Sequence, residues 1–251
     1  YSLLGGMRSA AQIVSYEVPL VLAMIAPVIL VGSLRLSDIV NAQTGWWFVL
    51  ISPIMAIVYL TAGLAEVNLT PFDMVEAESE LVAGFSTEYS GMKFALFFLA
   101  EFANTFTTSA ILTCLYLGGW HLLPFDLFGV NSWMGGAGML GRLAAVFVFL
   151  VKVWAVVFFT MWIRATLPRI RVDQLMEFGW KALIPISLGG VLVNGLVIAL
   201  PFSRSAQFGM LAALNWALLA LALALGKGKR VTMGSPRKGI TRVTVPERSR
   251  V

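Results

Sequence analysis

The chain has 251 residues, of which 59% are hydrophobic and 12% are charged, whereas soluble domains carry roughly 45–50% apolar and about 25% charged residues. So few charges cannot cover so large an apolar mass in water, and this excludes a soluble domain. The apolar stretches are long and continuous rather than alternating segments of about ten residues, which excludes a β-barrel. The composition therefore predicts an all-α fold, a polytopic helical bundle in a membrane.

Six apolar runs of about 20 residues or more predict transmembrane helices. They lie at residues 10–34, 45–65, 92–117, 140–163, 179–200 and 207–225. Four prolines fall inside these runs and predict kinks, which membrane helices tolerate; they are Pro19, Pro27, Pro53 and Pro185. We expect residues 1–226 to form the bundle, with an acidic loop at 66–91, and residues 227–251 to form a basic tail.

The basic residues predict which side of the membrane the loops face. Lys and Arg collect in the tail and near the span ends that share a side with both termini. Because cytoplasmic loops carry an excess of Lys and Arg, we expect both ends of the chain, the loop at 66–91 and the loop at 164–178 to be cytoplasmic.

Simple counts exclude several kinds of site. One cysteine, Cys114, and one histidine, His121, cannot form an iron–sulfur cluster or a structural zinc site. No glycine-rich phosphate loop is present. The net charge of +5 reflects mainly the tail and does not indicate nucleic acid as a partner. Because the sequence opens at Tyr1 with no signal-peptide pattern, we expect its true N-terminus to be missing.

The segment at 66–91 is the most unusual part of the chain, because it is acidic where a cytoplasmic loop should be basic. It holds six of the 13 acidic residues and no Lys or Arg. These six are Glu66, Asp73, Glu76, Glu78, Glu80 and Glu88. One interpretation is a solvated acidic loop. The other is a packed segment, since apolar residues are interleaved, whose crowded carboxyls have raised pKa values and hold or pass protons.

Ionisable residues also lie within or at the ends of the predicted spans. Glu17, Glu66 and Glu101 fall on three successive spans, and Lys152 lies near the middle of the fourth. Such a residue costs at least about 2.5–3.5 kcal/mol at bilayer depth and usually marks an ion or proton path. The alternative is a structural Glu–Lys pair. Our hypothesis is that these four residues transfer protons through the membrane.

The loop after the fourth span carries Arg164, Arg169 and Arg171 around a helix-ending Pro168. These arginines are either ordinary membrane anchors, or groups that pair with the acidic loop or grip a partner subunit through bidentate contacts. The sequence leaves these readings open.

Three blocks of the sequence resemble one known family. They are GGMRSAAQIVSYEVPL at 5–20, GLAEVNLTPFDMVEAESELVAGFSTEYSGMKFALFFLAEFAN at 63–104 and WIRATLPRIRVDQLMEFGWK at 162–181. In order and spacing they resemble the H subunit (also called subunit 1) of respiratory complex I, the proton-pumping NADH–quinone oxidoreductase. The likeness spans about residues 1–200.

The resemblance implies a bundle of eight or so transmembrane helices in the bacterial inner membrane. In that family this membrane protein joins the membrane arm to the peripheral arm, forms much of the quinone chamber and begins the charged path to proton pumping. Quinone would be the substrate, and this chain would bind no cofactor. FMN and iron–sulfur clusters would lie in partner subunits. Those partners would be other membrane-arm subunits and the peripheral-arm subunits at the quinone site.

The position of each residue within the three blocks assigns it the role that the resemblance implies. Arg8, Gln12 and Glu17 match the first block. Glu66 and Asp73 match the second, and Glu76, Glu78, Glu80 and Glu88 match its loop near the quinone chamber. The third block supplies Arg164, Arg169, Arg171 and Asp173. Leu69 departs from the family, which usually has an arginine there, and the family's first helix and amphipathic helix have no counterpart.

Two other functions stay open on the sequence alone. A homologous component of a membrane-bound hydrogenase, or of another donor–quinone oxidoreductase, would share the fold and differ in the electron donor. A stand-alone ion transporter would be active by itself in liposomes, which a complex subunit would not. Neighbouring genes for flavoprotein or hydrogenase subunits would separate the first of these functions from the complex I subunit.

Overall fold

The structure, a computed structural model, describes residues 2–73, 89–122, 138–201 and 203–228. Within these ranges the chain forms helices and no strand, which confirms the all-α prediction. In chain order the elements are α1 (Ser2–Val31), α2 (Leu36–Ala42), α3 (Phe48–Ile51), α4 (Pro53–Glu66), α5 (Met92–Tyr116), α6 (Gly138–Thr166), α7 (Val172–Phe178), a π-helical segment (Gly179–Leu183), α8 (Ile184–Ala199) and α9 (Arg204–Gly228).

The helices form a multi-pass membrane bundle. Within the described ranges, four stretches are long and apolar enough to cross a bilayer, namely Leu3–Val31, Met92–Tyr116, Gly138–Thr166 and Val172–Ala199. Pro53–Glu66 and Ala206–Ala222 are shorter apolar stretches. Large apolar side chains such as Phe98 and Phe147 are exposed on the outer surface. That surface is typical of helices whose solvent is lipid.

The core of the bundle surrounds α4, which is buried along most of its length. Helix α1 packs along one flank, α5 along another, and α8 and α9 close the remaining side. Gly190 on α8 allows the closest approach, because a β-carbon there would lie 2.4 Å from the Met55 sulfur. Small residues at helix crossings are how membrane helices gain packing energy without a hydrophobic driving force between them.

The predicted second span, 45–65, is two helices rather than one. Ser52 separates α3 from α4 with a non-helical backbone (φ −132°, ψ 67°). Pro53 explains this break, because a proline disfavours helical geometry in the residue before it and fits well at the first position of a new helix. The expected kink within a span is therefore a break between two helices.

The other prolines behave differently from one another. Pro19 and Pro27 lie inside α1, which runs through both. Pro185 stands in the first turn of α8, directly after the π-helical segment, where Ile184 donates its backbone N–H to the Gly179 carbonyl. A proline supplies no N–H, and π-helical turns are a known way to absorb such a gap within a continuous helix.

Polar side chains fasten helix α9 to the bundle. Asn215 donates its side-chain amide to the Asn194 side-chain oxygen on α8 at 2.9 Å, and both residues are fully buried. Trp216 donates its indole N–H to the Leu50 carbonyl of α3 at 3.1 Å, close to the break at Ser52. Helix α9 is therefore an integral part of the bundle.

Candidate functional site

One end of the bundle gathers acidic and basic side chains from four parts of the chain. We call this group the charged end and define it as Glu66, Asp73, Glu101, Arg164 and Arg169. Glu66 ends α4, Asp73 follows seven residues later, Glu101 lies on α5, and Arg164 and Arg169 flank the end of α6. The second and third sequence blocks, far apart along the chain, thus meet at one place.

Helix α1 holds this end in position through buried polar side chains. Gln12 donates its side-chain amide to the Ala65 carbonyl at 2.6 Å and to the Phe72 carbonyl at 2.9 Å. Tyr16 donates its hydroxyl to the Leu175 carbonyl of α7 at 2.8 Å. Both side chains are fully buried, so they fix α1 against the end of α4 and against α7.

The turn between α4 and Asp73 is tightly folded. Asn68 has a left-handed backbone (φ 59°), which asparagine tolerates better than most residues. Leu69 donates its backbone N–H to the Leu64 carbonyl at 3.2 Å, and its side chain is buried. An apolar side chain therefore packs into the core at the position where the resemblance led us to expect an arginine.

Two ion pairs connect the charged end. Arg169 contacts the Asp73 carboxylate at 3.1 Å and also donates its Nε–H to the Asp73 carbonyl at 2.6 Å. Arg164 contacts the Glu101 carboxylate at 3.3 Å, with side chains 35% and 20% exposed. Since these pairs are neither fully solvated nor fully buried, each carboxylate keeps a route to water while an arginine neutralises it.

The carboxylates of the charged end are half-buried, and Asp73 and Glu101 each lie beside an arginine. Carboxylates placed between a bundle and water can take up or release protons when the charge around them changes. Among the described residues, no group of three His, Cys, Asp or Glu is placed to hold a metal ion.

Lys152 does not join the charged end. It donates to the Leu117 carbonyl at 2.6 Å and to the His121 carbonyl at 2.5 Å, at the opposite end of α5. Its ammonium also lies 4.3 Å from the centre of the Trp47 ring, a favourable cation–π distance. The Glu101–Lys152 pair that the sequence left open is replaced by the Glu101–Arg164 pair.

We call the surroundings of Lys152 the capped end and define it as Gln43, Trp47, Lys152 and the backbone of residues 114–121. Gln43 is fully buried and donates its amide to the Cys114 carbonyl at 2.9 Å and to the Leu115 carbonyl at 3.2 Å. Its oxygen accepts the Gly118 N–H at 3.0 Å. The last carbonyls of a helix have no partner within the helix, and here two side chains from elsewhere satisfy them.

The other predicted site residues lie on α1, on α7 and in the acidic segment. Arg8 is half-buried near the start of α1, and Glu17 is exposed on the same helix. Arg171 precedes α7, and Asp173 lies in its first turn, where an acidic side chain suits the helix dipole. Glu76, Glu78, Glu80 and Glu88 lie outside the described residues.

Sequence reasoning missed several buried polar groups. Gln43 received no role, and neither did the Asn194–Asn215 pair. It also missed a row of hydroxyls on α5, one turn apart, in which Thr105, Ser109 and Thr113 each donate to the carbonyl four residues earlier. The available signal was polar residues within apolar spans, which usually face the bundle interior.

The chain matches a known protein family over most of its length. A family model described as NADH dehydrogenase matches residues 1–195. The matched region contains the whole charged end and the whole capped end, and it stops within α8. Helix α9 and the tail lie beyond it.

Named relatives give a consistent picture. The H subunit of the NADH-quinone oxidoreductase of Anoxybacillus flavithermus is 51% identical over 202 residues, covering 80% of this chain. The proteins with the same description from Geobacillus kaustophilus and Bacillus thuringiensis are 49% identical over 199 residues and 48% identical over 202 residues, covering 79% and 80% of this chain. The chain spans about half the length of these curated relatives, 56% in each case.

Proposed function

Because the chain belongs to the NADH dehydrogenase family, we propose that it acts as a membrane-arm component of a proton-translocating NADH–quinone oxidoreductase, in the role of the H subunit. In this proposal it helps form the quinone chamber and links quinone reduction to proton translocation. Quinone is the substrate of the complex, and the chain itself supplies no redox group.

The observation that carries the proposal is the charged end. Three half-buried carboxylates lie at one end of a membrane bundle, two of them paired with arginines and all within the matched region. Reduction of a quinone takes up electrons and protons, and it changes the charge nearby. Carboxylates near such a change respond by shifting their protons. In this proposal Glu66, Asp73 and Glu101, together with Glu17 on α1, take that role.

The acidic segment that begins at Asp73 extends this set. Glu76, Glu78, Glu80 and Glu88 follow within 15 residues of Asp73. We propose that they line the quinone chamber and pass its charge state to Asp73 and Glu101. Lys152, which the sequence placed on a proton path, bonds to backbone carbonyls at the capped end, and we assign it no step in this proposal.

The same proposal predicts which side of the membrane the charged end faces and which subunits the chain contacts. The arginines at 8, 164, 169 and 171 belong to the charged end or its surroundings, so the positive-inside bias makes this end cytoplasmic. The membrane is then the bacterial inner membrane. The partners are the peripheral-arm subunits at the quinone site and other membrane-arm subunits, with FMN and iron–sulfur clusters in the peripheral arm. Exposed Arg171 is available for contact with such a partner.

Glu101→Gln and Asp73→Asn in the assembled complex test this function. Each change keeps shape and hydrogen bonding but removes the titrating group. We expect quinone-linked turnover, coupled proton pumping or both to fall about tenfold or more, while NADH oxidation by a soluble acceptor continues. The three activities are measured on the same membranes, and Glu78→Gln and Glu80→Gln extend the assay to the acidic segment.

Glu177→Gln is the matched control. Glu177 lies on α7, exposed and paired with Lys181, outside the charged end, so its loss should leave all three activities unchanged. Normal turnover and pumping in both Glu101→Gln and Asp73→Asn would contradict the proposal. A variant enters this comparison when its soluble-acceptor reaction continues, because that reaction shows that the complex has assembled.

A further inference from the structure

Gln12 reaches from α1 to the backbone beside two carboxylate residues. Its side-chain nitrogen donates to the Ala65 carbonyl at 2.6 Å and to the Phe72 carbonyl at 2.9 Å. Each of these carbonyls belongs to the peptide bond that leads into a carboxylate residue, Glu66 in the first case and Asp73 in the second. A single nitrogen atom on α1 therefore ties together the backbone at both carboxylates.

The backbone at Asp73 is also held from the opposite side. Arg169 donates its Nε–H to the Asp73 carbonyl and contacts the Asp73 carboxylate at 3.1 Å. Beside it, Ile170 donates its backbone N–H to the Pro71 carbonyl at 3.2 Å. The turn that carries Asp73 thus lies between α1 and the link after α6, and Gln12 supports it from the α1 side.

The other half of the Gln12 amide indicates that stability alone does not explain this side chain. Its oxygen is buried and has no hydrogen-bond partner among the described residues, and an unpaired buried acceptor lowers stability. The amide cannot be turned over, because the oxygen would then face two carbonyls. Gln43 at the capped end is the opposite case, because its nitrogen donates to the Cys114 and Leu115 carbonyls and its oxygen accepts the Gly118 N–H. What sets Gln12 apart is the pair of carbonyls that it holds.

We propose that Gln12 is a positioning residue for proton transfer at the charged end, because it fixes where the Glu66 and Asp73 carboxylates stand relative to each other. The inference rests on the proposed function, which assigns proton transfer to these two carboxylates. Transfer between groups depends steeply on their placement, and a displacement of about 1 Å can lower a rate about a hundredfold. Gln12 itself neither takes up nor releases a proton, and it acts through the backbone that it holds.

Gln12→Met in the assembled complex tests the proposal, since it keeps the length of the side chain and removes both hydrogen bonds. We expect kcat of quinone-linked turnover, divided by the soluble-acceptor rate on the same membranes, to fall about fivefold or more, while KM for quinone stays within about twofold. A merely structural loss lowers the amount of complex and leaves this ratio unchanged. Gln12→Asn, whose shorter amide cannot span both carbonyls, should show a smaller fall of the same kind. Gln43→Met, the same change at the other buried glutamine, is the matched control and should keep the ratio.

A combination with carboxylate variants separates this inference from the proposed function. In the double variant Glu66→Gln, Asp73→Asn, the groups that Gln12 positions no longer titrate, so adding Gln12→Met should change the ratio by less than about twofold. Wild-type turnover and pumping in the double variant would contradict the proposed function itself. A defect in the double variant together with a wild-type ratio in Gln12→Met and Gln12→Asn would overturn the positioning role alone. So would a raised KM for quinone at unchanged kcat, or a further fivefold loss on adding Gln12→Met to the double variant.

Discussion

The two ends of the bundle use polar side chains in opposite ways. At the charged end, arginines form ion pairs with carboxylates, as in the Arg164–Glu101 pair, and the side chains remain partly exposed. At the capped end, Gln43 and Lys152 bond mainly to backbone carbonyls, and Gln43 is fully buried. Bonds to the backbone fix the fold, whereas half-exposed ion pairs can exchange partners and protons at little cost. We therefore expect substitutions at the capped end to lower stability and substitutions at the charged end to lower activity.

The largest loss of stability should follow removal of Gln43. Gln43→Met keeps the length of the side chain but leaves the Cys114 and Leu115 carbonyls and the Gly118 N–H without this partner. Side-chain hydrogen bonds in membranes average about 0.6 kcal/mol, with a maximum near 1.7, so we expect the free energy of unfolding to fall by about 2–4 kcal/mol. Unfolding of the full chain in detergent measures it. Asn41→Met, at an exposed position on α2, is the control and should leave the free energy of unfolding almost unchanged. Equal losses in the two variants would contradict a special role for Gln43.

Lys152→Met should have the next largest effect. It removes two charge-assisted hydrogen bonds and the contact with the Trp47 ring, and we expect a loss of about 1–3 kcal/mol. Lys152→Arg should recover part of it, because the positive charge is kept. The same unfolding measurement applies, with Arg142→Met as the matched loss of a positive charge on α6. A stable Lys152→Met protein whose only defect is in proton pumping would place Lys152 in the proton path instead.

Arg164→Gln should cost less than about 1 kcal/mol of stability, the usual limit for a partly exposed ion pair. It should nevertheless change proton pumping in the assembled complex, because Glu101 loses the cation that neutralises it. Unfolding and pumping are compared on the same variant. A stability loss as large as that of Gln43→Met would mean that the charged end also holds the fold together.

The smallest effect should come from Lys181→Ala. The Glu177–Lys181 pair is close, at 2.6 Å, but its side chains are 60% and 71% exposed, and such pairs contribute about 0.3–0.5 kcal/mol. We expect a change of that size or less, with normal pumping. This variant sets the baseline for a charge that lies outside both ends.

The sequence predicted the helical class and the apolar segments because hydropathy and length directly reflect a lipid environment. It did not predict the break at Ser52, since a proline inside an apolar run is compatible with either a kink or a new helix start. The pairing of Arg169 with Asp73 was among its alternatives, because opposite charges in two loops on one side can be matched from sequence alone.

The hydrogen-bond partners of Lys152 could not be predicted from the sequence, for a different reason. Charge pairing was the only criterion available for a lysine within a span, and it pointed to Glu101. Backbone carbonyls are the same at every residue, so no side-chain pattern marks Leu117 and His121 as acceptors. The roles of Gln43 and Asn194 were hidden for the same reason: a single amide in an apolar run shows that a partner is needed but not which one.

The bond from Tyr16 to the Leu175 carbonyl has a consequence for the order in which the bundle is made. The two residues are 159 positions apart, and at about 5–20 residues per second the ribosome needs about 8–32 s to travel between them. During that interval the Leu175 carbonyl does not yet exist as a partner for the Tyr16 hydroxyl. Arg164 and Arg169 are synthesised just before Leu175, so both ion pairs form no earlier than that stage. The charged end is thus completed only after α1, α4 and α5 have been synthesised.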